Sequence, residues 1–498
     1  MADDRGAAAF ESSEPSRRVI HGTMTFALAS VLQRAAPLLL LPLFAQILTP
    51  DEFGQIGVIL TLTAALSTIA GLGLETAVFR GYLRAASDPS AIRPFINTVG
   101  AFGILTPTLM AVAVVVLLGP WLSDVFDLPI GTLFLGAVAA AANASATAVP
   151  LAILRAQEQL RTYLALTSVQ VIVTAGLTVL FVAVFDLGVL GWMLASAAAA
   201  LLLLVRGIAS MKHRWTRELD LTLLGTVLAF GLPLMPHALA HWGLAVSDRA
   251  ILGAQLPSGV VGGYYVAYLF VLPISLVSIA LSQAMQPLYA TAASGEAREG
   301  LSRFVTVQVA AILFSGAAVA TLGPALVELM LPSGYGVAAE FIPWLAAGAS
   351  LFGLYLIPMS AVALLAGHTA RIWVITVIAA ATNIGLNLIF VPRFGAMSAA
   401  VNTTIGYGVL LLGVFVLMMR VARPPIPYER GRILASAALI AVITGVAAII
   451  SPPSAGLAFA LRGTLLLVLA ILLGTVGPLR SEAQTMLRYL RPVAGRMH

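Results

Sequence analysis

The chain has 498 residues, of which 60% are hydrophobic and only 10% are charged. Soluble domains carry roughly 25% charged residues, so this composition excludes a soluble enzyme and predicts a membrane protein with many spans. There is no cysteine, which excludes disulfide bonds, thiolate metal sites and cysteine nucleophiles. The net charge of +6 does not indicate nucleic-acid binding, because the basic residues are distributed according to membrane topology.

Fourteen hydrophobic runs are long enough to cross a bilayer core about 30 Å thick, which predicts an all-α polytopic membrane protein. Residues 1–21 carry mixed charges and lack a short apolar core with a small-residue cleavage site, so we expect no signal cleavage. The predicted membrane helices are 23–47, 54–79, 95–118, 131–154, 162–184, 187–205, 222–250, 261–288, 304–328, 340–365, 372–391, 396–419, 433–451 and 456–475.

The basic residues lie mainly on one side of this predicted topology. If the N-terminus is cytoplasmic, 23 of the 27 Lys and Arg residues fall in cytoplasmic segments, so both termini are predicted to be inside. No segment between helices exceeds about twenty residues, which leaves no room for a catalytic domain outside the membrane. No phosphate-binding glycine loop or clustered metal-ligand spacing occurs, so we predict no enzyme activity, catalytic residue, metal or cofactor.

The sequence also contains an internal duplication. A repeat of about 208 residues holds six helices, which predicts two lobes of equal orientation related by a pseudo-two-fold axis along the membrane normal, as in many transporters. The predicted domains are an N-terminal tail (1–21), an N-lobe (22–206), a linker (207–221), a C-lobe (222–420), two extra helices (421–475) and a C-terminal tail (476–498). The matched pairs are Leu48 and Leu256, Gly54 and Gly262, Gly176 and Gly385, Leu177 and Leu386, Phe181 and Phe390, and Gly188 and Gly395.

Five segments together resemble the polysaccharide-transport flippases, a branch of the superfamily that also contains the multidrug and toxin extrusion antiporters. The segments are LTPDEFGQIGV, GLGLETAVFR, LRAQEQLRTY, SDRAILG followed by VGGYYVA, and NIGLNLIFVPRFGAMSAA. The resemblance implies an alternating-access flippase in a bacterial cytoplasmic (inner) membrane. Its substrate would be a polyprenyl-diphosphate-linked oligosaccharide for O-antigen, capsule or exopolysaccharide, and its partners would be membrane lipids and other polysaccharide-assembly proteins.

Three alternatives to this function stay open. The related peptidoglycan-precursor flippases also have fourteen helices, but they typically carry Arg and Asp in a polar first helix. Here the first helix reads VLQRAAPLLLLPLFAQIL, with a single Arg and two prolines. A multidrug or cation antiporter would require an acidic, aromatic cavity, whereas the predicted membrane interior is basic to neutral. The third alternative is a membrane protein that scaffolds polysaccharide synthesis without transporting.

Arg34 lies eleven residues into the first predicted helix, about 16 Å along its axis and near the middle of the membrane. Arginine at this depth costs about 2.5–3.5 kcal/mol, so we expect it to face a cavity or a polar partner. A guanidinium matches the geometry of a diphosphate, which makes Arg34 the candidate contact for the substrate diphosphate. An internal partner such as Gln33, or a carbonyl freed by Pro37, is the alternative.

The seventh predicted helix carries a polar stripe. At about 100° per residue, His237, His241 and Asp248 fall within roughly 40° of one another. Histidine changes charge near neutral pH and a carboxylate in an apolar site can do so too, so these residues are candidates for ion or proton coupling. Alternatively, Asp248 pairs with Arg249 and the histidines are satisfied inside the lobe.

Further polar residues are candidates for sugar contacts or for the cytoplasmic opening. Amides bind sugar hydroxyls, but they are equally common as interhelical contacts in membrane bundles. Glu75 is predicted near the cytoplasmic interface, in a salt bridge or gate near Arg80, and basic residues there could recruit an anionic lipid diphosphate or merely set topology. The sugar-contact candidates are Asn383, Asn387, Gln283 and Gln286, and the cytoplasmic candidates are Glu75, Arg80, Arg84 and Arg155.

Overall fold

The structure is a computed structural model that describes residues 37–480 except 213, 214, 217, 292–294, 366–370, 422–427, 451, 453 and 476–478. The described residues contain helices and no strand, which confirms the predicted all-α fold. Helix α1 is described over 37–45, and Arg34 therefore lies outside the described residues. Thirteen further helices in the described part are long and apolar enough to cross a membrane.

These spans are α2 (Pro50–Ala85), α3 (Ser90–Phe126), α4 (Ile130–Ala156), α5 (Leu160–Val184), α6 (Gly188–Ser210), α7 (Leu221–Gly253), α8 (Ser258–Gln286), α9 (Gly300–Met330), α10 (Ala338–Leu364), α11 (Ile372–Phe394), α12 (Ala396–Val421), α13 (Arg430–Ile449) and α14 (Ala455–Thr475). Each one overlaps a hydrophobic run of the sequence. The thirteen predicted helices that fall on described residues are thus confirmed.

Two of the spans are interrupted. Helix α2 consists of Pro50–Ala70 and Leu74–Ala85, separated by a turn in which Gly73 has φ 65°. Helix α7 changes to a 3-10 turn at Leu232–Leu234 before it continues as Met235–Gly253. The prolines at 233 and 236 predict this second interruption, because proline lacks the N–H that an α-helix needs at interior positions.

Structural features recur at the spacing of the sequence repeat. Gly188 (φ 49°) and Gly395 (φ 67°) both have positive φ, a conformation that a side chain disfavours, and each lies where a span begins. Helices α4 and α10 both contain a proline, Pro150 or Pro358, close to a π-helical turn. Pro150 and Pro358 are themselves 208 residues apart. The matched positions therefore have matched backbone roles.

The contacts within the chain divide it into two units. Among the described residues, the first unit contains Thr63–Met235, and the second contains Pro37–Leu62 together with the residues from Pro236 onward. The first half of α2 thus packs with the second unit. The lobe boundaries expected from the repeat, 22–206 and 222–420, remain a prediction.

The first unit has a core where α2, α3, α4 and α7 meet and a separate contact between α4 and α6. The contact between α4 and α6 consists of alanines, and such small side chains allow membrane helices to approach closely. The core contains Leu74, Val78, Phe95, Val149, Ile153 and Val227, and the α4–α6 contact contains Ala139, Ala142, Ala197 and Ala200.

Hydrogen bonds attach the start of α7 to α3 in this unit. Asp220 caps α7, since its Oδ1 accepts from the backbone N–H groups of Thr222 at 2.9 Å and Leu223 at 3.1 Å. The backbone N–H of Asp220 donates to Thr98 Oγ1 at 2.9 Å. Hydrogen bonds from Thr222 and Leu223 hold the pKa of Asp220 below its usual range, so the cap stays charged at neutral pH.

The second unit has a large core to which α7, α8, α9, α10, α11 and α12 all contribute, and a smaller one that attaches α13 and α14 to α9. In α14, the Arg462 guanidinium donates to the carbonyl oxygens of Thr321 at 3.2 Å and Ile450 at 3.3 Å, so it binds the end of α13. The large core includes Leu244, Tyr355, Leu356, Ala380, Tyr407 and Leu410, and the smaller one includes Ala317, Ile440, Leu466 and Leu469.

Helices α2 and α8 touch through their backbones near their first residues, within the second unit. A Cβ atom at Gly54 would overlap the carbonyl oxygen of Ser258, and a Cβ atom at Gly262 would overlap the carbonyl oxygen of Pro50. Pro50 and Ser258 are separated by the same 208 residues as the two glycines. The contact is therefore reciprocal, and glycine is required at both positions because there is no room for a side chain.

The turn before α2 is held by a buried tyrosine. Tyr335 is 1% exposed, and its hydroxyl donates to the carbonyl oxygen of Leu48 at 2.6 Å. Its ring packs edge-on against Phe53, with 5.5 Å between the ring centroids. Burial raises the pKa of Tyr335, which lies between α9 and α10, above its ordinary value of 10.0.

We expect Tyr335→Phe to lower the free energy of unfolding by about 1 kcal/mol, because the Leu48 carbonyl loses its hydrogen bond. The neutral hydroxyl stabilises the fold below the unfolded-state pKa, and this contribution is lost as the pH rises through the higher folded-state pKa. The difference in melting temperature between wild type and Tyr335→Phe should therefore shrink above about pH 10. A constant difference from pH 7 to pH 11 would contradict this.

Candidate functional site

A buried carboxylate on α7 is the centre of the candidate site. Asp248 is 2% exposed. Its Oδ2 accepts from the hydroxyl of Tyr264 on α8 at 2.6 Å and from Thr403 Oγ1 on α12 at 3.3 Å. Its Oδ1 accepts from the backbone N–H of Arg249 at 2.8 Å. Three hydrogen bonds from two neighbouring helices and from the next residue of α7 thus hold the carboxylate inside the second unit.

A chain of amides leads to this carboxylate from α11 and α12. Asn402 donates to Asn387 at 3.0 Å, Asn387 donates to Asn383 at 3.3 Å, and Asn383 donates to Thr403 at 3.4 Å. Asn383 and Asn387 are fully buried. Each donor points toward the next acceptor in the direction of Asp248, so the site is one connected polar network, here called the Asp248 network.

Arg249 lies beside this network without forming a salt bridge to Asp248. It is 6% exposed, and its guanidinium stacks over the rings of Tyr268, 3.8 Å from the centroid, and Tyr265, at 5.6 Å. Within the described part of the chain, its Nε and Nη2 atoms have no hydrogen-bond partner. A buried positive charge thus balances the buried carboxylate, and aromatic faces provide much of its local stabilisation.

The structure places the two predicted histidines apart from Asp248. His237 and His241 are exposed on α7, and His241 packs edge-on near Phe352 with 6.4 Å between the rings. Seven residues, or about 10 Å along a helix axis, separate His241 from Asp248. The three side chains lie on one side of the helix, as predicted, but burial changes along the helix. The histidines are exposed and Asp248 is buried, so they do not form one site.

The four predicted amides also divide into two groups. Asn383 and Asn387 belong to the Asp248 network, where they bond to each other and to neighbouring helices. On α8, Gln283 is half-buried and Gln286 is exposed. Gln283 lies nineteen residues beyond Tyr264, about 28 Å along a helix axis, so the glutamines are not part of the network.

The cytoplasmic candidates lie in the first unit. Glu75 pairs with Arg155 at 2.5 Å, and the Arg155 guanidinium lies 5.9 Å from the ring centroids of both Phe79 and Tyr163. The salt bridge connects α2 to α4. Arg80, which the sequence suggests as the neighbour of Glu75, lies over the ring of Phe230 instead.

The two remaining basic candidates, Arg80 and Arg84, do not pair with Glu75 in the structure. Arg80 lies 4.7 Å above the ring of Phe230, two residues before the interruption of α7. Arg84 is exposed in the last turn of α2. A role in recruiting an anionic lipid diphosphate stays a prediction for both.

Several members of the Asp248 network are absent from the sequence-based candidates. Tyr264 and Thr403 bind the carboxylate directly, and Asn402 extends the amide chain. Tyr264 lies in the VGGYYVA segment and Asn402 and Thr403 are adjacent, so their positions in the sequence were visible. Their convergence depends on the rotation of each helix about its axis, which the sequence pattern leaves open.

The Asp248 network combines one carboxylate with neutral oxygen atoms, which are the ligand types that singly charged cations bind. Asp248 supplies one negative charge, and the asparagine and threonine side chains supply neutral oxygen atoms. Hard cations bind oxygen ligands, and a single carboxylate also accepts a proton. The nearby Arg249 guanidinium repels a second positive charge at this network.

Comparison with known proteins identifies the family and the fold. A family model described as polysaccharide biosynthesis protein matches residues 43–340. No curated protein sequence matches the chain.

Several solved structures share the fold at low sequence identity. The structure of the lipid II flippase MurJ in an inward closed conformation aligns with a TM-score of 0.66 and 14% identity, covering 91% of this chain and 99% of that chain. An inward-facing multidrug resistance MATE family transporter of the MOP superfamily gives 0.59 and 16%, covering 79% and 94%. A MOP superfamily transporter from Pyrococcus furiosus gives 0.54 and 15%, covering 83% and 96%. The described chain therefore has a MurJ/MATE-like transporter fold.

Proposed function

The chain belongs to the polysaccharide biosynthesis protein family, and from this premise we propose that it flips a polyprenyl-diphosphate-linked oligosaccharide across the cytoplasmic membrane. The observation that carries the proposal is the extent of the likeness to a lipid II flippase, which covers 91% of this chain, against 79% for the MATE transporter. A shared fold alone does not assign a function. The substrate class is inferred from two descriptions together: polysaccharide biosynthesis for the family, and lipid II flippase for the structural match with the greater coverage.

In this proposal the Asp248 network couples transport to an ion gradient. The network is buried within one unit and carries one compensated negative charge, so binding of a proton or a singly charged cation would change its electrostatic balance. Asn383 and Asn387 then serve this site rather than sugar. Gln283 and Gln286 remain the amides that would contact sugar, and His237 and His241 would modulate pH dependence from the exposed surface of α7.

Arg34 is proposed to contact the substrate diphosphate, on the basis of its depth in the first hydrophobic run and the geometry of guanidinium–phosphate pairs. Both termini are proposed to be cytoplasmic, on the basis of the arginine distribution. The product would be used for O-antigen, capsule or exopolysaccharide, together with other polysaccharide-assembly proteins. Glu75 and Arg155 would maintain the cytoplasmic end of the first unit.

The experiment is flipping of a fluorescent polyprenyl-diphosphate oligosaccharide in proteoliposomes, with and without pH or Na⁺ gradients. We expect wild type to flip the lipid and Arg34→Ala to lose at least tenfold in rate, because the charge-assisted contact to the diphosphate is removed. Arg420→Ala is the matched control, since Arg420 is exposed at the end of α12. It should flip at the wild-type rate.

Other outcomes select among the alternatives. Flipping of a peptidoglycan precursor but not of the polysaccharide lipid would assign the chain to precursor export. Gradient-driven efflux of a cationic dye without lipid flipping would assign it to the antiporters. A folded wild type that moves neither lipid nor dye would contradict transport and favour the scaffold.

A further inference from the structure

A groove on the first unit, between α5 and α6, has a basic end and an apolar length, as a site for a lipid headgroup and its acyl chain would. It has a volume of about 410 Å³, and its lining contains no acidic residue. Arg161, Thr162, Arg206 and Ser210 line one end. The rest is lined mainly by apolar side chains, among them Leu166, Val169 and Leu202, together with the amide of Gln170. The groove is separate from the Asp248 network, which belongs to the second unit.

The polar end of the groove lies at the membrane face that is predicted to be cytoplasmic. Arg161 is in the first turn of α5 and Arg206 is near the end of α6, and the two antiparallel helices bring these ends together. Both arginines are exposed. Within the described part of the chain neither forms a salt bridge, so their guanidinium groups are available to an anion.

The apolar part of the groove lies along the membrane spans α5 and α6, deeper than the arginines. Val169 lies eight residues beyond Arg161, about 12 Å along α5. It lines the groove and is 47% exposed. An acyl chain lying against these apolar side chains would keep its headgroup at the arginines.

We propose that this groove binds one anionic glycerophospholipid, with its phosphate between Arg161 and Arg206 and an acyl chain against Leu166, Val169 and Leu202. Arg161 and Arg206 bring two positive charges to the groove, and no carboxylate lines it. A headgroup with a net negative charge is therefore favoured over a zwitterionic one, whose amine would be repelled by the arginines. The bound lipid would join α5 to α6 and stabilise the first unit. The proposal concerns binding and does not depend on the transported substrate.

The test is native mass spectrometry of the delipidated full-length protein titrated with phosphatidylglycerol, phosphatidylcholine or a polyprenyl phosphate. We expect phosphatidylglycerol to bind preferentially and to raise the melting temperature. Each basic contact to an anionic lipid contributes roughly fivefold to binding, so Arg161→Gln/Arg206→Gln should bind it about 25-fold more weakly. The matched control, Arg393→Gln/Arg420→Gln, removes two exposed arginines of the second unit and should retain wild-type affinity.

A second variant tests the groove without altering charge. Ala165 lines the groove and is exposed, so Ala165→Phe should fill it and weaken phosphatidylglycerol binding while the protein stays folded. Equal affinity for phosphatidylglycerol and phosphatidylcholine would overturn the proposal. So would wild-type binding in both groove variants, or arginine-dependent binding of polyprenyl phosphate with none of phosphatidylglycerol.

Discussion

Asp248→Asn is expected to abolish gradient-driven transport and to lower the melting temperature of the purified protein. The substitution keeps the shape of the side chain but removes the only negative charge of the Asp248 network. Arg249 is 6% exposed and would then be an uncompensated buried charge. Leaving a buried charge without its compensating charge costs about 3 kcal/mol or more.

A double variant separates the effect on transport from the effect on stability. Asp248→Asn/Arg249→Gln removes both charges, so we expect its melting temperature to recover toward wild type while gradient-driven transport stays absent. Asp124→Asn is the matched control, because Asp124 is exposed at the end of α3 and should be replaceable without effect. Wild-type dependence on the imposed gradient in the double variant would contradict a coupling role for the Asp248 network.

Thr403→Val provides a finer test of the same network. It removes the hydroxyl that connects Asn383 to Asp248 but leaves the carboxylate, the Tyr264 hydrogen bond and the charge of Arg249 in place. In the proposed mechanism, this variant weakens ion binding without abolishing it. Transport at saturating ion concentration should therefore approach wild type, while half-maximal transport requires a higher concentration.

The membrane helices could be predicted from the sequence because each one is an apolar run of about the required length. The interior of α2 could not, since the break before Leu74 depends on a left-handed glycine, Gly73, within an otherwise apolar run. Gly188 and Gly395 were visible as a repeat, but only the structure shows that a positive φ is the property they share.

The candidate site was predicted less completely than the fold. Asp248 stood out as an acidic residue in an apolar helix, but it was grouped with His237 and His241, and the alternative partner was Arg249. Adjacent residues on a helix point about 100° apart, so the two side chains meet different neighbours: Tyr264 and Thr403 for the carboxylate, aromatic rings for the guanidinium. Which neighbours those are depends on helix rotation and packing, which are tertiary properties.

Replacing glycine by alanine in the second unit should change the free energy of unfolding in opposite directions, depending on whether the glycine lies in the contact between α2 and α8. Gly54→Ala and Gly262→Ala should each lower the free energy of unfolding by about 2 kcal/mol, because the new methyl group overlaps a backbone carbonyl that cannot move aside. Gly385→Ala is the matched control. No atom lies within 4 Å of a Cβ there, so it should stabilise α11 by roughly 0.5–1 kcal/mol.

The reciprocity of this contact makes the double variant informative. Either alanine alone forces the backbones of α2 and α8 apart, and the second alanine then enters space that the first has already opened. Gly54→Ala/Gly262→Ala should therefore lose less stability than the sum of the single losses, as expected for residues in direct contact. Melting temperatures of the four proteins measure this coupling, and strict additivity would mean that the two glycines do not share one contact.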